Sequence, residues 1–416
     1  MSLSYCLPRV GTKSFSLVTH AFLQADDLPF RDVLSEEEID AAFAAENACF
    51  GEGEEDIYTP ALTLWGWLAQ VMHAGKARSC VAAVARIVAL CVAMGRRPPS
   101  PDTGAYCRAR AKLAEPVLRR LVYAVGDELE SRVPPDWLWL NRHVKLGDGT
   151  TVLAPDTDAN QHEWPQQRAQ KPGLGFPILR MVVLLSLATA ALCGLASAPY
   201  QGKETGESAL LRELLDRLQC GDVFLGDCAY CSYFLLALLL ARGVDVVTRQ
   251  HQARRTDFRA GQRLGAEDHV VVWRRPARPT WMDEETYATI PETLTVRELK
   301  VHVAVPGFRV RQLVVVTTLT DAERYPKAEI ARLFRLRWHV ELDLRNIKTS
   351  LRLDDLRGKT PDMVRREVWV HWLAYNLIRK VMEPRAIKRR PKAHKLLCKP
   401  RAEARAELLR SGGTRR

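Results

Sequence analysis

Met181 to Ala198 runs for eighteen residues without one charged side chain and stops at Pro199. A run of that length leaves two options, a membrane span or chain buried on both faces inside a fold. Ser186, Thr189, Cys193, Gly194 and Ser197 interrupt its hydrophobicity, and a single soft span is a poor anchor for a basic chain. Two successive buried strands of a sheet, split near 190–194, fit better. The expectation is therefore an α/β fold, with no membrane among its partners.

The flanking segments extend that sheet. Residues 143–152 alternate as a strand does, around a turn-prone Asp148-Gly149. Residues 222–227 form a short buried strand ending in an acid, and 244–248 form another. Helices are expected at 204–218 and 232–242. Upstream, Ser35-Glu36-Glu37-Glu38 reads as a capping box that opens a helix to about Ala45. Further helices are expected at 63–77, 80–94 and 106–130, the last with a break at Pro116. After 250 come four arginines, several prolines and strand-like runs at 269–273, 296–303 and 308–318, followed by helices at 334–348 and 362–382. The expected layout is an N-terminal helical, DNA-binding unit (1–138), an α/β core in two parts (139–250 and 328–383) with a β-rich insertion between them (251–327), and a basic, patternless tail (384–416).

The 416 residues carry a formal net charge of +12, a surplus that points to a polyanion, nucleic acid first. Arg108, Arg110 and Lys112 in the helical unit, with Arg254 and Arg255 in the insertion, are candidate phosphate contacts. The ten cysteines form no dense framework, and no charged leader precedes an apolar core, so a cytoplasmic location is expected. Asp148 and Asp227 are placed at or near the C-terminal ends of apolar strands, where open α/β sheets bind ligands. In the helix at 334–348, Phe334, Arg337, Glu341 and Lys348 fall within an arc of roughly 60°. A plain solvated face with an Arg337–Glu341 pair at i,i+4 accounts for the same spacing. Three carboxylates without an obvious His or Cys nucleophile suit hard divalent cations: Mg²⁺, with Mn²⁺ able to substitute, two ions per site, serving phosphoryl transfer. Arg337 and Lys348 would then contact phosphate. Cys228 and Cys231 form a CxxC, open to reading as a redox pair, half a zinc site or buried thiols.

Asp148 in GDGTTV, Asp227 in GDVFLGDCAY and the pattern F-x2-R-x3-E-x6-K resemble the DDE transposases of bacterial insertion sequences, specifically the group with the signature Y-x2-R-x3-E-x6-K. PGLGFP, VTTLTD, RLRWHVELDLRNIKTSL and HWLAYNLIR are similar to that family too, and the resemblance covers about residues 60 to 382. It implies an RNase H-like mixed sheet with flanking helices, a β-rich insertion before the glutamate helix and an N-terminal all-helical domain. It further implies that Asp148, Asp227 and Glu341 are the metal ligands and catalytic acids. Arg337 and Lys348 would hold phosphates at the transposon end. Phe334 stands where the family has tyrosine, leaving a ring to stack on a displaced base, and Cys228 stands where such proteins often have arginine. The implied activity is binding of terminal inverted repeats, hydrolysis to a 3′-OH, hairpin formation and opening, and strand transfer into target DNA. A homodimer pairing two double-stranded ends in the bacterial nucleoid is implied as well. A catalytically silent, transposase-derived DNA-binding regulator is the other reading.

Overall fold

The computed structural model describes residues 12–23, 28, 30–51, 53, 56–171, 173–302 and 312–397. Strand β1 (Val144–Leu153) is followed by the uncharged run as two strands, β2 (Ile178–Ser186) and β3 (Leu192–Pro199). The turn between them is held by the Ser186 hydroxyl, which accepts from the N–H groups of Ala188 and Thr189 at 3.1 and 3.2 Å. Alternation explains why the run carries no charge. Met181, Val183 and Leu185 join one hydrophobic cluster, while Val182 and Leu184 join another on the opposite face.

Six more strands complete one sheet: β4 (Val223–Gly226), β5 (Asp245–Arg249), β6 (Gln262–Gly265), β7 (Asp268–Arg274), β8 (Thr293–His302) and β9 (Gln312–Thr317). Their order is β3-β2-β1-β4-β5-β9-β8-β7-β6. β1 is antiparallel to β2 and parallel to β4, β4 is parallel to β5, and every pairing beyond β5 is antiparallel. The β-rich segment after 250 extends the main sheet through β9. Thr317 of β9 pairs with Val247 of β5 on one side and Arg297 of β8 on the other. The Arg297 guanidinium, 1% exposed, forks onto Asp268 at 2.7 and 2.6 Å and locks β8 to β7.

Helices cover both faces. On one side lie α1 (Thr12–Leu23), α2 (Glu36–Ala45), α3 (Pro60–Met72), α4 (Cys80–Ala93), α5 (Thr103–Lys112) and α6 (Glu115–Ser131). The capping box forms in full: Ser35 Oγ accepts the Glu38 N–H at 3.2 Å and Glu38 accepts the Ser35 N–H at 2.7 Å. Short α7 (Asp158–Glu163) follows β1, and α8 (Glu207–Arg212), α9 (Tyr233–Ala241) and α10 (Glu284–Thr289) lie later in the chain. The helix expected over 204–218 is confined to α8 and a single turn at Leu215–Arg217, where Arg217 Nε donates to the Cys193 carbonyl at 2.7 Å and draws the chain onto β3. The chain ends in α11 (Lys327–Leu336), α12 (Trp338–Arg345) and α13 (Pro361–Leu397).

The helices before residue 138 share their core with the sheet. α13 packs along α6 and α3, and these helices share a single apolar cluster with β1 and β2. Gly126 on α6 has no room for a Cβ, which would stand 2.4 Å from the Leu192 carbonyl oxygen of β3. Asn376 of α13 donates to the carbonyls of Val122 and Leu192 and accepts the Leu192 N–H at 2.8 Å. Arg78, 1% exposed, donates to Glu367 at 2.8 Å and lies 2.9 Å from His371 Nε2. The patternless tail expected from 384 is helical to Leu397, and 398–416 lie outside the described residues. Among the described residues no helix is long and apolar enough to cross a membrane.

Candidate active site

Strand register brings the two aspartates together. β1 and β4 run parallel with Val144 opposite Val223 and Leu146 opposite Leu225. Two residues further along each chain lie Asp148 and Asp227. β4 stops at Gly226, and Asp227 caps the turn Cys228–Tyr230, its Oδ1 accepting the Ala229 N–H at 2.7 Å. The expectation of strand ends holds for Asp227 but not for Asp148, which sits inside β1 opposite Val183 of β2. The reason is that β1 keeps its antiparallel partner to Leu153, well past the point where its pairing with β4 ends.

The surroundings of Asp148 are acidic. Burial pushes its carboxyl up to about 6; the Arg337 guanidinium and the Gly149 N–H, 3.0 Å from Oδ1, hold it back, and Asp227 and Glu207 push it further up. Glu207, the first residue of α8, is itself pushed up by burial and by Asp227, with Arg180 opposing. Its carboxyl lies over Gly149, where a Cβ would meet Oε1 at 2.3 Å. Tyr230 is fully buried, and among the described residues its hydroxyl has no hydrogen-bond partner. Burial, then Glu207, Asp148 and Asp227, hold that hydroxyl well above its ordinary range. Sequence reasoning missed both residues. The available signal was Gly149, since a glycine inside a strand marks a close approach.

The expected helix at 334–348 is not continuous. It breaks at Arg337 between α11 and α12, then widens into a π turn at Asn346–Ser350. Of its four candidate residues, Arg337 and Glu341 stay paired while Phe334 and Lys348 turn to other partners. Arg337, 11% exposed, donates to Glu341 Oε1 at 3.3 Å and lies over the Trp338 ring at 4.5 Å. Glu341 is 47% exposed. Lys348 donates to the Thr151 carbonyl of β1 at 2.8 Å and lies 3.8 Å from Asp354. Phe334 is 4% exposed in the main apolar cluster with Ile330 and Leu333, so its ring packs inward, against the expectation of a stacking platform.

Among the described residues no three His, Cys, Asp or Glu side chains stand close enough together to hold a metal ion as they are placed. Asp227, Glu207 and Arg337 all act on Asp148, and Arg337 in turn pairs with Glu341. The chemistry of the donors still fits: the hard carboxylate oxygens of Asp148 and Asp227 suit a hard divalent cation.

The other candidates divide in the same way. Arg108 and Lys112 are exposed on α5. Arg110 is turned inward, donating to Gln70 Oε1 at 3.0 Å and lying 4.8 Å over the Trp67 ring. Arg254 lies 3.7 Å over the Trp273 ring and, like Arg255, is exposed. In the CxxC, burial pushes the Cys231 thiol up, the opposite of what a redox pair needs.

Similarity to known proteins follows the same residues. Residues 142–377, more than half of the chain, match the family described as Transposase DDE domain. The transposase InsG of insertion sequence element IS4 from Escherichia coli K12 is 28% identical over 293 residues, spanning 68% of this chain and 61% of that protein. The putative transposase InsL of IS186A, also from E. coli K12, is 32% identical over 71 residues, 17% of this chain and 19% of its own length. A cryo-EM structure of the piggyBac transposase synaptic complex with hairpin DNA is similar at 10% identity and a TM-score of 0.43, covering 93% of this chain and 85% of that one. With its two strand-borne aspartates and its glutamate helix inside the matched region, the chain belongs to the Transposase DDE domain family.

Proposed function

We infer that this protein is a metal-dependent DNA transposase. It binds the terminal inverted repeats of an insertion sequence, cleaves the DNA at the element's ends and joins them to target DNA, through a hairpin intermediate and as a homodimer that pairs two ends. The observation that carries this reading is the parallel register that sets Asp148 beside Asp227, with Arg337 facing them. Three antiparallel strands followed by two parallel ones, β3-β2-β1-β4-β5, support an RNase H-like core.

Asp148 and Asp227 would hold the cations, Mg²⁺ in two positions, with Glu341 as third carboxylate. Bound there, divalent ions activate a water and stabilise the leaving oxygen of a phosphodiester. Glu341, 47% exposed, would exchange its ion pair with Arg337 for the cation. Arg337, released from Glu341, is then free to fork onto a phosphate. Lys348 anchors the glutamate-bearing segment to β1 through Thr151 and supplies positive charge near the DNA end. Phe334 supports the same segment from within the core.

The test is cleavage of a labelled inverted-repeat duplex by the full chain. Cleavage is expected with Mg²⁺ or Mn²⁺ and not with EDTA. Asp148→Asn, Asp227→Asn and Glu341→Gln should each abolish cutting while leaving end binding in place. A wild-type chain that binds ends but never cuts them would make the protein a DNA-binding regulator. Cutting that survives Asp148→Asn would overturn the site.

A further inference from the structure

Gly149 lies inside a paired strand, and its backbone does not require glycine for conformational reasons, since it is not left-handed. Space requires it. A Cβ would stand 2.3 Å from Glu207 Oε1, 2.4 Å from its Cδ and 2.8 Å from its Cγ. The Glu207 carboxyl is thus laid across the strand at the residue next to Asp148. The start of α8 is fixed there from two directions. Ser208 Oγ donates to the Ala229 carbonyl at 2.5 Å, two residues beyond Asp227, and Arg180 Nη1 donates to the Thr205 carbonyl at 2.9 Å.

Tyr230 is the second, independent observation. Its ring is wedged edge-on against Phe224 at 5.5 Å, and a Cβ on Gly226 would touch it at 2.8 Å. Tyr230 is 0% exposed, its hydroxyl is without a partner among the described residues, and the acids that act on it are Glu207, Asp148 and Asp227. Buried hydroxyls without a partner are rare, and one that feels the charge of Glu207, Asp148 and Asp227 points to a polar ligand near them. Direct ligation by all three acids does not fit their spacing. Contact through water is in keeping with Mg²⁺, which gives up its waters reluctantly and is held by few carboxylates.

We propose that Glu207 and Tyr230 are positioning residues of the active site: waters bound to the cation at Asp148 and Asp227 donate to the Glu207 carboxylate and to the Tyr230 oxygen. This rests on the metal-dependent reading above. Glu207 orients the bound waters and adds negative charge, while Tyr230 fixes the direction of one of them. Outer-shell partners of this kind typically set metal affinity by about 10–100-fold.

The test is Mn²⁺ binding to the metal-free full chain, followed by calorimetry and by the Mn²⁺ EPR signal, with thermal melting recorded for every variant. Asp148→Asn is the reference. Glu207→Gln should weaken Mn²⁺ binding by about tenfold or more and raise the metal concentration for half-maximal cleavage by the same factor, with melting unchanged. Tyr230→Phe should act in the same direction. Gly149→Ala, which displaces the carboxyl without removing it, should reproduce Glu207→Gln and add nothing in a Glu207→Ala background. If Asp148→Asn loses Mn²⁺ and Glu207→Gln binds it as the wild type does, the inference fails and the metal site stands. If both bind as the wild type does, the metal site fails with it. A Glu207→Gln chain that melts lower yet keeps its Mn²⁺ affinity would make Glu207 a purely structural residue and overturn the role.

Discussion

Phe334 illustrates how one side chain can sit inside a functional signature and serve the core. α11 turns Ile330, Leu333 and Phe334 to the same interior, and the helix breaks three residues later at Arg337. Phe334→Ala should therefore cost about 3–5 kcal/mol of stability, as expected for removal of a buried ring, read by denaturant unfolding. Nicking and hairpin formation should fall together in proportion to folded protein. A selective loss of the hairpin step at unchanged stability would restore the stacking role. Phe334→Tyr should be destabilising by about 1–3 kcal/mol, because a hydroxyl would enter an apolar cluster. Arg337→Lys should slow cleavage, since an ammonium cannot replace the planar fork that faces Asp148 and Glu341 together. At this scale the placement of the two candidate aspartates was legible from the sequence, because each ends or interrupts an apolar strand. Glu207 was not, because an acid in the first turn of a helix is ordinary, and only the three-dimensional approach to Gly149 distinguishes it.

At the scale of elements, α6 and the sheet are joined by a buried ion pair. Lys145 on β1 bonds Glu130 at the end of α6, with His143 Nδ1 at 3.1 Å and the Thr189 hydroxyl at 3.1 Å completing the set. Burial alone would push the Glu130 carboxyl up; the hydrogen bonds from His143 and Lys145 and the Lys145 charge outweigh it and hold it at about 2. Its folded pKa lies below its unfolded value of 4.5, so its stabilising contribution is complete above about pH 4.5 and is lost as the pH falls through about 2. Glu130→Gln, which leaves Lys145 buried without its carboxylate, should cost about 3–5 kcal/mol at pH 7. The gap between the two proteins should narrow steadily from pH 4.5 downward in urea titrations, and a gap independent of pH would contradict the pairing. Local pattern made the strands readable here, since period-two alternation and the lack of charge are written into each segment. The π turn at Asn346–Ser350 was not readable. It breaks the 3.6-residue period on which the common face of Phe334, Arg337, Glu341 and Lys348 depended.

Across the whole molecule, what escaped the sequence is non-local: β6–β8 joining the main sheet through β9, and α13 welding the N-terminal helices to it. Neither leaves a periodic trace, because edge pairing and a shared core are set by partners far away in the chain. The charge, by contrast, belongs to composition. A net +12 makes DNA affinity an electrostatic quantity, and binding to the element's ends should weaken steeply between about 50 and 200 mM salt. The cations do not contribute equally. Arg108 and Lys112 are exposed on α5, whereas Arg110 between them on the same helix is spent on Gln70, Trp67 and Tyr106. Removing one cation that neutralises a phosphate should flatten the logarithmic salt slope by about 0.9, so Arg108→Ala with Lys112→Ala should flatten it by about 1.8 with melting unchanged. Arg110→Ala should do the reverse, lowering the melting temperature through weakened packing and leaving the slope where it was. Binding isotherms at four salt concentrations on the three proteins separate the cases. A slope unmoved by the exposed pair would take α5 out of the DNA interface, and a slope flattened by Arg110→Ala would mean that this guanidinium leaves its rings for phosphate when DNA is bound.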